Sequence, residues 1–174
     1  MNPFLEALGA DGAAADRAGK MDLYGRFVGS WDLDVTHIAE DGTRRERKGE
    51  WHFGWALEGR AIQDVWIVPP RGELREADAN ANSYGTTLRV YDGELDAWLI
   101  QWTDPVTRTF LQMIGRAEGA DIVQLGTRPD GRLARWSFSE ITPNSFLWRG
   151  EVSGDHGATW RLNVEFTAHR VPAP

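Results

Sequence analysis

The side chains able to do chemistry in this chain are few, and most of them are expected to sit among tryptophans. A turn at Glu58-Gly59 pairs Trp51 with Trp66, Phe53 with Asp64 and Trp55 with Ile62, and paired residues share one face of a sheet. The apolar set Trp51, Phe53, Trp55, Ile62, Trp66 and Val68 has to face inward, and Asp64 is carried in with it. A turn at Pro129-Asp130-Gly131 similarly groups Ile122, Gln124, Trp136 and Phe138. Trp160, Leu162, Val164, Phe166 and Ala168 define a further inner face, and a four-residue turn at 154–157 sets Glu151 opposite Trp160 and Arg149 opposite Leu162. The expected ligand-binding set is therefore Trp51, Asp64, Trp66, Trp102, Gln124, Trp136, Arg149 and Glu151. A one-residue bulge near Gly150 or Gly154 would reverse this register and bring Phe146 and Trp148 inside instead. The polar register is the one carried forward. Within it, buried charge is expensive unless paired, so Arg149, Glu151 and Asp64 either form an internal network or meet a polar group of a ligand. Asp64 and Glu151 could serve as general acid and base if one of them were desolvated.

Other chemistry finds little support. His37 is expected to face inward, His52 and His169 outward, and His156 to lie in a turn, so no two recur at metal-ligand spacing. There is no cysteine, hence neither a disulfide framework nor a thiolate nucleophile. No serine occupies a nucleophile elbow, and no glycine-rich phosphate loop runs from a strand into a helix. No metal and no cofactor are expected, and no residue is singled out as catalytic.

The elements that must position these residues are strands. From Trp31 onward the hydrophobic period is two, giving about ten strands at 31–39, 44–57, 60–69, 84–92, 95–103, 106–116, 121–128, 132–140, 145–153 and 158–170. Links such as Glu40-Asp41-Gly42, Asp92-Gly93 and Glu118-Gly119 are hairpin turns, the pattern of an up-and-down meander. A meander of this length closes to avoid exposed edges, and a barrel is the simplest closure, with a two-sheet sandwich as the alternative. Within 95–103 the set Trp98, Ile100 and Trp102 is expected inside. Ahead of the barrel domain at 31–170, residues 1–30 form a helical segment and plug. Asn2 caps a short helix that starts at Pro3, buries Phe4, Leu5 and Leu8, and ends at Gly9, while Asp22 caps a second turn carrying Leu23, Tyr24, Phe27 and Val28. The link 69–83, with two prolines and Gly72, Asn80 and Asn82, is expected over the open mouth as a lid.

Composition bounds the partners. The 174 residues carry a formal charge of −7, and 17 Arg and two Lys alternate with acids instead of clustering, which argues against a nucleic-acid partner. No apolar stretch reaches membrane-spanning length, so no membrane partner is expected. The first residues do not read as a signal peptide, so a cytoplasmic protein with a small-molecule ligand is expected, its oligomeric state open.

Gly29-Ser30-Trp31, at the entry to the first strand after a short helix, resembles the Gly-x-Trp entry motif of lipocalins. With the meander behind it, the chain resembles the calycins, the lipocalin and fatty-acid-binding-protein-like barrels, and most nearly their uncharacterised bacterial members. The resemblance implies an all-β closed antiparallel up-and-down barrel. It also implies that Trp31 sits at the closed end with an arginine from the C-terminal end packed on it, and strand counting brings Arg170 to that place. Fatty-acid-binding proteins hold a ligand carboxylate with interior arginines, and Arg149 is similar in kind. Three functions stay open: a carrier, sensor or scavenger of a small, largely apolar or aromatic ligand; a metal-independent cyclase, isomerase or lyase using interior carboxylates and Arg; or a barrel packed solid.

Overall fold

The structure is a computed structural model that describes residues 2–75 and 82–173. Helix α1 (Pro3–Leu8) is capped by the Asn2 side chain, which accepts from the Phe4 backbone N–H, with proline at the first turn. It ends on β1 (Gly9–Ala10), which pairs with the far end of β3. Phe4 and Leu5 stay exposed; contrary to expectation, α1 runs along the outside of the barrel and has no core to bury them in. Helix α2 (Ala18–Gly25) starts four residues before Asp22. A 3-10 turn at Ala15–Arg17 feeds straight into it, so Asp22 is an interior helical residue and caps nothing.

Ten strands follow: β2 (Gly29–Ile38), β3 (Arg44–Ala56), β4 (Ala61–Val68), β5 (Ser83–Asp92), β6 (Ala97–Asp104), β7 (Thr109–Glu118), β8 (Asp121–Thr127), β9 (Leu133–Ser139), β10 (Ser145–Ser153) and β11 (Arg161–Arg170). Each pairs antiparallel with its sequence neighbour, and β2 also pairs with β11, which closes the barrel. The β3–β4 turn is tight, with positive φ at Glu58 and Gly59, as a two-residue hairpin of this twist demands. Gly59 has a second constraint. A Cβ there would stand 2.1 Å from the Gly12 carbonyl oxygen, because the N-terminal segment crosses this turn and Ala14 N–H donates to the Gly59 carbonyl.

One end of the bore is filled. Met21, Tyr24 and Phe27 are fully buried there; Phe27 stacks on Phe138 and the Tyr24 ring meets Trp98 edge-on. Trp31 lies at the same end with the Arg170 guanidinium 4.1 Å above its ring. Arg170 also donates to the carbonyls of Pro143, Val28 and Arg26, tying the last strand to the plug. Trp98, Ile100 and Trp102 face inward and Leu99 outward, as the alternation required.

The register of β10 and β11 departs from expectation. Gly150 opposes Val164 while Glu151 opposes Leu162, leaving Asn163 as an extra residue. This bulge reverses the inner face halfway along β11, so Phe146 and Trp148 are buried and share a face with Ala168 and Phe166. Arg149 and Glu151 thereby move to the outer wall, where Arg149 pairs with Glu165 and Glu151 with Arg135. Leu162 and Trp160 follow them out, and Arg135 covers the Trp160 ring at 4.2 Å.

The described start of the 69–83 link does not cross the mouth. Arg71 turns back onto the outer wall, where its backbone N–H and guanidinium both donate to Glu50. Arg75 follows it, over the ring of Tyr84. The rest of the expected lid, including Asn80, falls outside the described residues, and Asn82 is buried beside β5.

Candidate functional site

Above the plug the bore is walled by tryptophan. Trp51 and Trp66 are cross-strand partners on β3 and β4. Around the rest of the wall, ring centroids run from Trp66 to Trp102 at 5.9 Å, to Trp136 at 6.0 Å, to Trp148 at 5.4 Å, and on to Trp51 at 6.4 Å. Five strands thus contribute one indole each to a continuous belt, mostly edge-to-face or tilted, as aromatic quadrupoles favour. Phe166 completes the wall, stacked on Trp148 at 4.7 Å.

Two glycines make room for the belt. A Cβ on Gly85 would lie 2.3 Å from the Trp102 ring and 2.8 Å from the Thr103 carbonyl. One on Gly150 would lie 2.7 Å from Val164 and 3.0 Å from the Trp148 ring. Each is an inward position left without a side chain so that an indole can occupy its space.

Inside the belt is a cavity of about 150 Å³. Its inner end carries Arg89, which is 1% exposed and forms an ion pair with the equally buried Asp64. The Thr87 backbone N–H donates to the second Asp64 oxygen. Arg89 Nε points to Gln124 Oε1 at 3.4 Å, and the same oxygen accepts from the Tyr24 hydroxyl at 2.9 Å. The guanidinium lies 5.0 Å from the Tyr24 ring centre and 5.6 Å from that of Phe53, so the pair is both hydrogen-bonded and capped by aromatic faces. Burial pushes the Tyr24 phenol well above its ordinary range, which keeps it a neutral donor. Toward the open end the lining changes to Thr109, Arg128 and Asn163.

Of the eight residues expected at the site, Trp51, Trp66, Trp102 and Trp136 line the cavity. Asp64 and Gln124 support its floor through Arg89, and Arg149 and Glu151 are on the other side of the wall. Asp64 therefore has no carboxylate facing it from β10, since Glu151 pairs with Arg135 on the outer wall, and the acid–base pairing open to Asp64 and Glu151 does not form. The sequence reading missed Arg89, Thr87, Arg128 and Asn163. Arg89 opposes Ile62 on β4 and Ile100 on β6, both inward residues. Because faces repeat every two residues, pairing across the β5–β6 turn puts Arg89 on the same face as Trp98, Ile100 and Trp102 whether that turn is counted as two residues or as the four, 93–96, that it has.

No family model and no curated protein matches the chain. Among solved structures it is similar to the S-type phycobiliprotein lyase CPES from Guillardia theta, with 12% identity and a TM-score of 0.56 over 88% of this chain and 93% of that one. It is also similar to EF1p2_mFAP2b bound to DFHBI, with 16% identity and a TM-score of 0.40 over 91% of this chain and 100% of that one. At such identity the first likeness speaks for a shared closed β-barrel fold alone, and the second is too loose to carry an argument.

Proposed function

We propose that the barrel binds a small, flat, largely apolar or aromatic molecule between the indoles of the belt, as a carrier, sensor or scavenger. The observation that carries this reading is the belt around an unfilled volume. A solid barrel would have filled the bore, whereas five indoles here border about 150 Å³, room enough for an aromatic ring. A larger ligand would extend past Arg128 and Asn163 toward the mouth. The Arg89–Asp64 pair is internally neutralised and held by Thr87 and Gln124, so it suits a fixed polar floor better than an acid or base that must exchange protons.

Two measurements test the proposal. Native mass spectrometry of the purified protein should show a co-purifying small molecule or an empty form that takes up 2-naphthol. Calorimetric titration with 2-naphthol should give one saturable site, weakened about tenfold in Trp136→Ala by the loss of one aromatic wall. An empty protein that shows no saturable uptake would end this reading.

A further inference from the structure

The polar groups left over inside this barrel are all of one kind. Among the described residues, five buried side-chain donors of the belt and the mouth lack a hydrogen bond, and no buried side-chain oxygen does. Three are the indole N–H groups of Trp51, Trp66 and Trp148, all members of the belt. Two more are Arg128 Nε and Arg161 Nη1. Native interiors satisfy the great majority of such groups, and each exception calls for a cause. A random set of packing faults would strand carbonyl, carboxylate and hydroxyl oxygens too. A set made only of donors is what remains when the matching acceptors belong to something else.

Charge follows the same direction. At the floor, Asp64 and Arg89 cancel. At the mouth, Arg128 lines the cavity, and Arg161 opens β11 opposite the inward Val152. Their acidic neighbours sit outside: Asp130 is 3.6 Å from Arg128 Nε, beyond hydrogen-bond reach, and Glu40 is 3.5 Å from Arg161 Nη2. Glu40 is shared with Arg132, and Arg161 Nη1 is buried without a hydrogen bond at a β11 position that shares its face with Val152. His37, on the neighbouring strand and facing the same space, is pushed toward its neutral form by burial and then by the guanidinium charges of Arg47 and Arg45 on β3. The buried carboxylate at the same end, Asp104, accepts from the Ser83 hydroxyl and the Val106 and Thr107 N–H groups, so it is already engaged apart from Arg128 and Arg161.

We infer that the occupant is an aromatic acid, its ring held in the indole belt and its carboxylate at the mouth with the buried guanidinium atoms of Arg128 and Arg161. This rests on the cavity being a ligand site. The indole donors meet acceptor atoms on the ring system or on the acid, and the charge-assisted bonds at the mouth supply discrimination against neutral analogues.

The probes are 2-naphthoate and its neutral isostere 2-naphthamide, titrated calorimetrically into the full chain at low salt. The expected result is that naphthoate binds at least about tenfold more tightly, with an advantage that shrinks as salt is raised. Arg161→Met and Arg128→Met, both at the rim, should each reduce that advantage by weakening naphthoate by a larger factor than naphthamide. Equal or tighter binding of naphthamide would overturn the inference and leave the aromatic cage standing. Retention of the full naphthoate advantage in both variants would overturn the placement of the carboxylate. If neither probe binds a protein with a native near-ultraviolet dichroism spectrum, the cage itself is refuted and the inference with it.

Discussion

Arg89 and Arg149 are chemically the same residue in opposite settings, and substituting each should separate them cleanly. Arg89→Leu strands the Asp64 carboxylate in a site with almost no solvent, so a loss of about 3–5 kcal/mol is expected in chemical denaturation. Arg149→Ala removes an outer-wall partner of Glu165 whose side chain is 45% exposed, and should change stability by less than about 1 kcal/mol. Equal losses would mean that the register at the Asn163 bulge is wrong. Asp64 was legible because a two-residue turn fixes its pairing with Phe53. Arg149 was misread because one unpaired residue on the opposite strand inverts every side chain beyond it, and alternation within β10 fits either face: Phe146 and Trp148 or Leu147 and Arg149.

At the scale of elements, the turns told most of the story. Eight hairpin connections and one long link between consecutive strands place ten strands in order, and the residue types of the hairpin turns are readable. The long link was the exception, because its anchors are remote in sequence. Glu50 gathers the Arg71 backbone and side chain together with His52, and the Arg71 hydrogen bond, more than any other contact, holds its carboxyl down at about 2. A folded value below the unfolded 4.5 means that this clip stabilises fully above that pH and is lost as pH falls from 4.5 toward 2. Glu50→Gln should therefore lower stability by on the order of 1 kcal/mol at neutral pH. The deficit should vanish in acid, measured by denaturation at a series of pH values. A deficit independent of pH would mean that the side chain acts through packing alone.

The whole molecule is a tube stopped at one end, and the stopper comes from outside the strand repeat. Met21, Tyr24 and Phe27 are at or below 1% exposure, and burying large side chains of this kind contributes about 1.5–3 kcal/mol each. Together they approach the net stability of an ordinary domain. Deleting residues 2–28 should therefore abolish the cooperative thermal transition; a truncated chain that still melts cooperatively would show the strands to be self-sufficient. The closed barrel was legible because closing on itself is the simplest way for a long meander to hide its edges, simpler than the two-sheet sandwich. The hollow was not, since summed side-chain volume says nothing about where indoles leave a gap. That gap has an optical consequence. Five indoles at centroid spacings of 5.4–6.4 Å cannot emit as separate lamps. Light absorbed by any one of them migrates among the rest within its excited lifetime, so a single absorbing guest in the bore would darken the whole belt at once, and the barrel would report its own occupancy without a label.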